Sequence, residues 1–162
     1  LIDAFMLLKN EGIQLHLFGN GDLVEYIKKC SEKDDRIFYL GYKPNIVVLE
    51  NQKTSFMLVN PRFTHEDYTK YSFPSKTAGY LASGVPLLTT KLPGIPKEYF
   101  NYVYTFENEG IEGYKEMINK LLLMSESELN YKAEEARKFV LDYKNNKIQA
   151  AHFYECFIEK LW

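Results

Sequence analysis

Strand-like and helix-like segments alternate along most of this chain, and that alternation constrains the fold more than any other feature. Because parallel strands need a crossover between them, the pattern is typical of βαβ units. It predicts an α/β fold with an open, doubly wound parallel sheet. The predicted strands cover residues 13–18, 36–40, 55–59, 85–89 and 102–106. The predicted helical segments between them cover residues 22–31, with Asp22 as the cap, 45–51, 74–84 and 95–100.

Helical patterns flank this alternating region on both sides. Leu1 opens directly into a helix with no initiator methionine and no cap, so the chain is expected to be a fragment of a longer protein. Two helices are predicted after residue 109, the second starting at a capping box, Ser125 to Glu128. The Asn145-Asn146 pair is expected to end that helix. A last helix is predicted to run to Trp162 with an apolar face of Phe153, Phe157 and Leu161.

Composition narrows the functional class. The 162 residues are 46% hydrophobic, which is enough for one folded domain with its own core and excludes disorder. The net charge of −2 provides no overall field for nucleic acid or an anionic membrane. No membrane span or signal peptide is recognisable. Cys30 and Cys156 have no metal-binding or redox spacing, so both are expected to be buried thiols in a reducing cytoplasm.

The stretch from Leu58 to Thr90 contains the strongest functional signal. Roughly a dozen residues separate the predicted strand from Ser72, whereas connections in α/β units usually take about 2–6 residues, and longer ones tend to be functional. A strand, a loop, a helix start and a second strand form a common arrangement for binding phosphate at the edge of an α/β sheet. Taken singly, each residue of this loop is also compatible with an ordinary solvated surface loop.

The helix that follows this loop has a cationic start and one unfavourable residue. Pro74 suits the first helical position, which would leave the amides of Ser75, Lys76 and Thr77 as unpaired donors beside the Lys76 charge. Gly84 is predicted to be the left-handed cap of the helix. Gly79 lies inside the helix, where it costs about 1 kcal/mol relative to alanine.

Two runs in this stretch resemble a known family. Tyr71-Ser72-Phe73-Pro74-Ser75-Lys76 and Tyr80-Leu81-Ala82-Ser83-Gly84-Val85-Pro86 are similar to the donor-binding core of retaining GT-B glycosyltransferases of the group 1, or family 4, type. The resemblance covers most of the chain and is strongest to the carboxy-terminal, Rossmann-like lobe. It implies that residues 1–162 form a single nucleotide-sugar-binding domain, with additional C-terminal helices and without the acceptor-binding lobe.

The resemblance also implies which residues contact the donor. The set is Gly19, Asn20, Gly21, Tyr42, Arg62, Tyr71, Ser72, Phe73, Ser75, Lys76 and Gly79. A Gly-x-Gly run after a strand is equally typical of a tight turn that needs positive φ, and Tyr42 is also compatible with an ordinary strand-to-helix turn. His16 alternates within a strand and is expected to be a packed core residue.

The resemblance has two departures. The family often carries two glutamates eight positions apart, and the second contacts the donor ribose, but the alignment places Tyr71 and Gly79 there. The family's diphosphate-binding arginine and lysine follow a strand that would precede Leu1. No catalytic residue, metal site or cofactor is predicted, since the family acts with retention through no generally accepted protein nucleophile.

The sequence therefore predicts the donor half of a bacterial hexosyl-type transferase in surface polysaccharide assembly (capsule, O-antigen or exopolysaccharide), inactive as this chain alone. The donor would be a UDP- or GDP-linked sugar and the acceptor a glycan or a lipid-linked glycan. A cytoplasmic location is expected, and peripheral association of the full-length protein with the inner face of the plasma membrane is compatible with this role. The alternatives are an inactive nucleotide-sugar-binding or regulatory module, a GT-B sugar epimerase and a flavodoxin-like signalling domain.

Overall fold

The computed structural model describes residues 1–158, with side chains through Cys156. Contacts divide the chain into two compact units. The first unit comprises residues 1–55 and 105–124, and the second comprises residues 56–104 together with the chain from residue 125. Trp162 and Leu161, and the side chain of Phe157, all predicted for the last helix, lie outside the described residues.

The first unit is built on two parallel strands. β1 (Leu15–Phe18) pairs with β2 (Ile37–Gly41), and α2 (Val24–Ser31) is the crossover between them. This is the βαβ arrangement that the alternation predicts. The other helices of the unit are α1 (Ile2–Met6), α3 (Asn45–Lys53) and α5 (Ile111–Leu122). Helices α1 and α5 contact each other, and the buried residues of the unit include Ala4, Phe5, Leu8, Cys30, Ile37, Phe106, Tyr114, Met117, Ile118 and Leu121.

Arg36 links the loop before β1 to the turn before β2 in the first unit. The Arg36 guanidinium donates to the carbonyls of Leu8 and Asn10 (2.9 and 2.8 Å) and to both carboxylate oxygens of Asp34 (2.9 and 2.6 Å). Both side chains are largely buried, and this pairing lowers the pKa of Asp34 below its usual value. The loop before β1 and the turn before β2 are thereby held together.

The second unit contains a three-stranded sheet in the order β3 (Leu58–Asn60), β4 (Leu87–Thr89), β5 (Tyr104–Thr105), with β5 at the boundary of the unit. Strands β3 and β4 are parallel, and α4 (Lys76–Ala82) lies between them in sequence. Its other helices are α6 (Glu126–Tyr143) and α7 (Asn146–Phe153).

Helix α6 covers the core of the second unit. It packs on α4, and its Phe139 ring stacks on Tyr102 at 4.3 Å and meets Tyr99 edge-on at 5.1 Å. The buried cluster consists of Leu58, Leu81, Val85, Leu87, Leu92, Ile95, Tyr99, Val103, Ala136, Phe139 and Val140. Because β3, α4 and β4 share this core, the loop between β3 and α4 starts and ends on fixed elements.

The predicted fold class is confirmed: the chain is α/β with parallel strands and additional C-terminal helices. The strands form two hydrogen-bonded sheets, of two and three strands. They are shorter than the apolar runs suggest, since an apolar run continues beyond the point where backbone pairing stops. Whether residues 1–162 form a single domain stays a prediction.

The predicted helix caps and helix ends were partly confirmed. The Ser125 capping box is present, with Ser125 accepting from the Glu128 amide, and Gly84 has φ +75° after α4. Asn145 ends one helix as predicted and also caps the next, because its side chain accepts from two amides of α7. The predicted Asp22 cap is wrong: α2 begins after Leu23 with no side-chain cap.

Two predictions of burial are also wrong. His16 is exposed: it packs against the edge of Phe38 (5.4 Å between centroids) and contacts Gln14. The His16 side chain is therefore not part of the core, although the alternation suggested a core position. Cys156 is exposed, whereas Cys30 is buried as predicted.

Candidate functional site

The loop between β3 and α4, residues 61–75, is ordered by its own hydrogen bonds. Its middle forms a short 3₁₀ turn (Asp67–Lys70). The Thr69 side chain is fully buried within the loop, and its hydroxyl lies 2.6 Å from the Glu66 carbonyl oxygen and 3.2 Å from that of Thr64. A polar side chain buried to satisfy backbone carbonyls makes the loop a fixed structure, unlike a solvated coil.

The first half of the loop presents a cation on a fixed backbone. The Arg62 amide donates to the Thr90 hydroxyl at 2.9 Å, and the Arg62 side chain is exposed. Thr90 is 2% exposed and directly follows β4. The start of the loop is thus tied to the end of the neighbouring parallel strand, which leaves the guanidinium available to an anion.

The second half of the loop presents aromatic and hydroxyl groups. Tyr71 is 90% exposed, whereas Phe73 is less exposed and packs edge-on against Tyr99 at 5.1 Å. Ser72 between them is half-buried. Phe73 therefore anchors this segment on the core of the unit, and Tyr71 has a free aromatic face for a planar ligand.

The start of α4 differs from the prediction. Pro74 precedes the N-cap Ser75 and is not the first helical residue, and its carbonyl accepts from the Thr77 amide at 2.9 Å. One of the three predicted unpaired donors is therefore satisfied. Ser75 and Lys76 are both exposed, so the positive charge remains available at this end of the helix.

Gly79 lies on the exposed side of α4. A Cβ built on Gly79 has no heavy atom within 4 Å, apart from its chain neighbours and its own helix backbone, so no other protein backbone requires a glycine there. The neighbouring Tyr80 is half-buried, and burial raises the pKa of its phenol above the usual value. Tyr80 therefore stays protonated at neutral pH and offers no base to a substrate.

Among the residues that the structure describes, three buried polar atoms in and beside this loop have no hydrogen-bond partner. They are Nδ2 of Asn60 at the end of β3, Oγ of Ser72 in the loop and Oγ1 of Thr77 in the first turn of α4. An unsatisfied buried polar atom costs about 1–3 kcal/mol, and native proteins usually supply a partner or an ordered water. Two of these atoms, on Ser72 and Thr77, lie on the loop and the helix that carry the predicted donor contacts of the second unit.

Four predicted site residues lie in the first unit. Gly19, Asn20 and Gly21 follow β1, and the Tyr39 hydroxyl lies 2.9 Å from the Gly19 carbonyl oxygen. Gly19 has φ +120° and needs to be glycine, whereas Gly21 is outside the left-handed region. Tyr42 follows β2 and is 76% exposed.

The other seven predicted site residues lie in the second unit, on the loop and on α4. The cationic, hydroxyl-bearing and aromatic residues among these seven therefore lie on one continuous segment, residues 62–79. Donor contact by the eleven residues stays a prediction. Within residues 1–158, no group of three or more His, Cys, Asp or Glu side chains could hold a metal ion.

Sequence reasoning missed the residues that support these loops. Thr90, Thr69 and Tyr39 each hydrogen-bond to the backbone of a loop that carries predicted site residues. The Thr89-Thr90 pair at the end of a strand was a visible signal, since a threonine there is well placed to bond a neighbouring loop. Tyr39 had no local signal, because its partner lies 20 residues earlier.

Solved structures share this architecture. TarM superposes on 94% of the chain with a TM-score of 0.68 at 17% identity. WaaG, a glycosyltransferase involved in lipopolysaccharide biosynthesis, superposes on 78% with a TM-score of 0.57 at 20% identity. The fold of the chain therefore matches a Rossmann-like lobe of the GT-B type. AviGT4, a glycosyltransferase involved in avilamycin A biosynthesis, superposes on 81% with a TM-score of 0.52 at 13% identity.

The chain spans only part of these proteins: 30% of TarM, 33% of WaaG and 42% of AviGT4. No family model and no curated protein matches its sequence. Across the helices of the described part of the chain, none has the length and hydropathy to cross a membrane.

Proposed function

We propose that this chain is the nucleotide-sugar-binding lobe of a retaining GT-B glycosyltransferase of the group 1, or family 4, type. The observation that carries the proposal is the fold, which matches WaaG and AviGT4, two proteins described as glycosyltransferases. The second support is the Phe-Pro-Ser-Lys run, since its Ser75 and Lys76 are exposed at the start of α4 after an ordered loop.

The residues of the second unit fit the chemistry of sugar transfer. When a sugar leaves a nucleotide-sugar, negative charge builds up on the nucleoside diphosphate. The exposed cations Arg62 and Lys76 stabilise that charge, and the exposed hydroxyl of Ser75 is suited to donate to phosphate oxygens. Tyr71 offers an exposed ring on which a base or sugar face can stack. Catalysis of this kind depends on positioning and electrostatics and needs no protein nucleophile.

The proposed donor is a UDP- or GDP-linked hexose, and the acceptor is a glycan or a lipid-linked glycan of a bacterial surface polysaccharide. The acceptor would be bound by the lobe that this chain does not include. A cytoplasmic location, with the full-length protein at the inner face of the plasma membrane, fits a lipid-linked acceptor.

A second candidate function is a nucleotide-sugar-binding module without transferase activity. Gly79 favours it, because the position has room for a side chain and carries no carboxylate for the donor ribose. Both candidates require nucleotide-sugar binding, and only the first requires turnover in the presence of the acceptor lobe.

A thermal-shift screen of the chain against UDP- and GDP-linked sugars tests the proposal. Free hexoses and inorganic phosphate are the matched controls. We expect at least one nucleotide-sugar to raise the melting temperature more than the free hexose or inorganic phosphate does. No shift with any nucleotide-sugar, in a protein with a cooperative melt, would contradict donor binding. If a nucleotide-sugar does bind, sugar transfer by the full-length protein would exclude the inactive module.

A further inference from the structure

Residues 90–99 follow β4 and pack against the loop between β3 and α4; we refer to them as the support segment. Gly94 lies directly against the backbone of Ser72. A Cβ built on Gly94 would lie 2.5 Å from the carbonyl oxygen of Ser72 and 2.9 Å from its nitrogen. Distances below 3.0 Å to backbone atoms are overlaps, so no side chain fits there without movement of the Ser72 backbone.

Gly94 itself has little freedom to move away. Leu92 and Ile95 on either side are 1% and 4% exposed, and the Ile95 amide donates to the Leu92 carbonyl at 3.1 Å. The φ of Gly94 is outside the left-handed region, so glycine is needed here for space and not for its backbone conformation. An added methyl group would therefore displace Ser72 more readily than the support segment.

Two further contacts join the support segment to the same loop. The Thr90 hydroxyl accepts from the Arg62 amide at 2.9 Å, and Tyr99 packs on Phe73 at 5.1 Å. The support segment thus touches the loop near its start and near its end. These contacts fix the backbones of Arg62, Ser72 and Phe73, although none of the supporting side chains was predicted to meet a ligand.

We propose that Thr90 and Gly94 are positioning residues for the candidate donor loop: they hold the backbones of Arg62 and Ser72 where a nucleoside diphosphate can be bound. The inference rests on the proposed function for the identity of the ligand. Its physical basis is preorganisation, because a loop already held in its binding geometry loses less conformational entropy when the ligand binds. Removing the Thr90 hydrogen bond, or adding a side chain at Gly94, should weaken diphosphate binding. Neither change removes a group that touches the diphosphate.

Four variants of the chain test this. Gly94→Ala introduces the overlap with Ser72. Thr90→Val keeps the shape but removes the acceptor for the Arg62 amide, and Thr90→Ser retains the hydroxyl. Gly12→Ala is the matched glycine control, because its Cβ would meet only the Asn10 side chain, at 3.4 Å, an ordinary contact.

The first readout is hydrogen exchange of the ligand-free variants. We expect the amides of residues 61–75 to exchange several-fold faster in Gly94→Ala and Thr90→Val, and at the wild-type rate in Thr90→Ser and Gly12→Ala. Unchanged exchange of the loop in folded Thr90→Val and Gly94→Ala would overturn the inference, whether or not any nucleotide binds. If Gly94→Ala does not fold, the two Thr90 variants decide the outcome.

The second readout is calorimetric titration with UDP and GDP, at a temperature where each variant is shown to be folded. We expect Thr90→Val and Gly94→Ala to raise the Kd several-fold, with rescue in Thr90→Ser. A loop that exchanges faster yet binds with the wild-type Kd would overturn the positioning role. If the wild-type chain binds neither nucleotide, the proposed function fails, and the exchange data alone decide whether the support segment positions the loop.

Discussion

Replacing Gly79 with glutamate tests whether this chain lost a ribose-binding carboxylate. Gly79 lies in the middle of α4 and is exposed, and a Cβ there meets no heavy atom within 4 Å beyond its chain neighbours and its own helix backbone. Removing a glycine from a helix interior should stabilise the protein by up to ~1 kcal/mol. For a chain of this size, that corresponds to an increase of about 2–4 °C in the melting temperature.

The effect on binding should be larger than the effect on stability. A carboxylate that accepts from the ribose hydroxyls would contribute roughly 1.5–3 kcal/mol, the range for a hydrogen bond to a charged group. The Kd for a nucleotide-sugar should therefore fall by about ten- to a hundredfold, since each ~1.4 kcal/mol is a factor of ten.

Gly79→Ala is the matched control, because it removes the same glycine without adding a carboxylate. We expect both variants to melt at a higher temperature than the wild type, and Gly79→Glu alone to bind the donor more tightly. The assay is calorimetric titration of the three proteins side by side with the same nucleotide-sugar. Lower stability together with lower affinity in Gly79→Glu would refute this reasoning and show that the glycine is required.

Three further predictions follow from the same structure. Lys76→Ala should raise the Kd for UDP or GDP several-fold at low salt and flatten its salt dependence, because an exposed cation is screened by added ions; equal affinity by calorimetry would place Lys76 outside the site. The purified chain should show no sugar transfer in a coupled assay, because one lobe cannot enclose donor and acceptor and exclude water, so turnover by it alone would contradict this. Asp34→Asn should destabilise the chain by about 1.5–3 kcal/mol in urea at pH 7 by weakening the pair with Arg36. Because the pairing lowers the pKa of Asp34, its contribution is present above about pH 4 and is lost as the pH falls, so the variant should lose less stability on acidification than the wild type.

The fold could be predicted from the sequence because its signals are local. The alternation of apolar strands with helical patterns predicted the parallel pairs β1–β2 and β3–β4. The Ser125 capping box and the Gly84 cap follow from residues a few positions apart, and both are present.

Other features depended on contacts between distant residues. Pairing between strands decides where a strand ends, so the predicted strands were too long. The buried state of Thr90 and the approach of Gly94 to Ser72 arise because two loops meet at the ends of parallel strands. The candidate contact residues come from the resemblance, and their contact with a donor stays a prediction. Of the residues that hold them in place, Thr90 had a local signal, whereas Gly94 and Tyr39 act on partners 22 and 20 residues away.

Hydrogen exchange of the wild-type chain with saturating nucleoside diphosphate tests the central claim most directly, because it locates the ligand on the chain. UDP and GDP are compared with inorganic phosphate at the same concentration. The account predicts slower exchange of amides in residues 61–78, the loop and the first turn of α4, with the nucleotide that binds. Binding that protects other parts of the chain and leaves this segment unchanged would contradict it, as would the absence of any protection with either nucleotide.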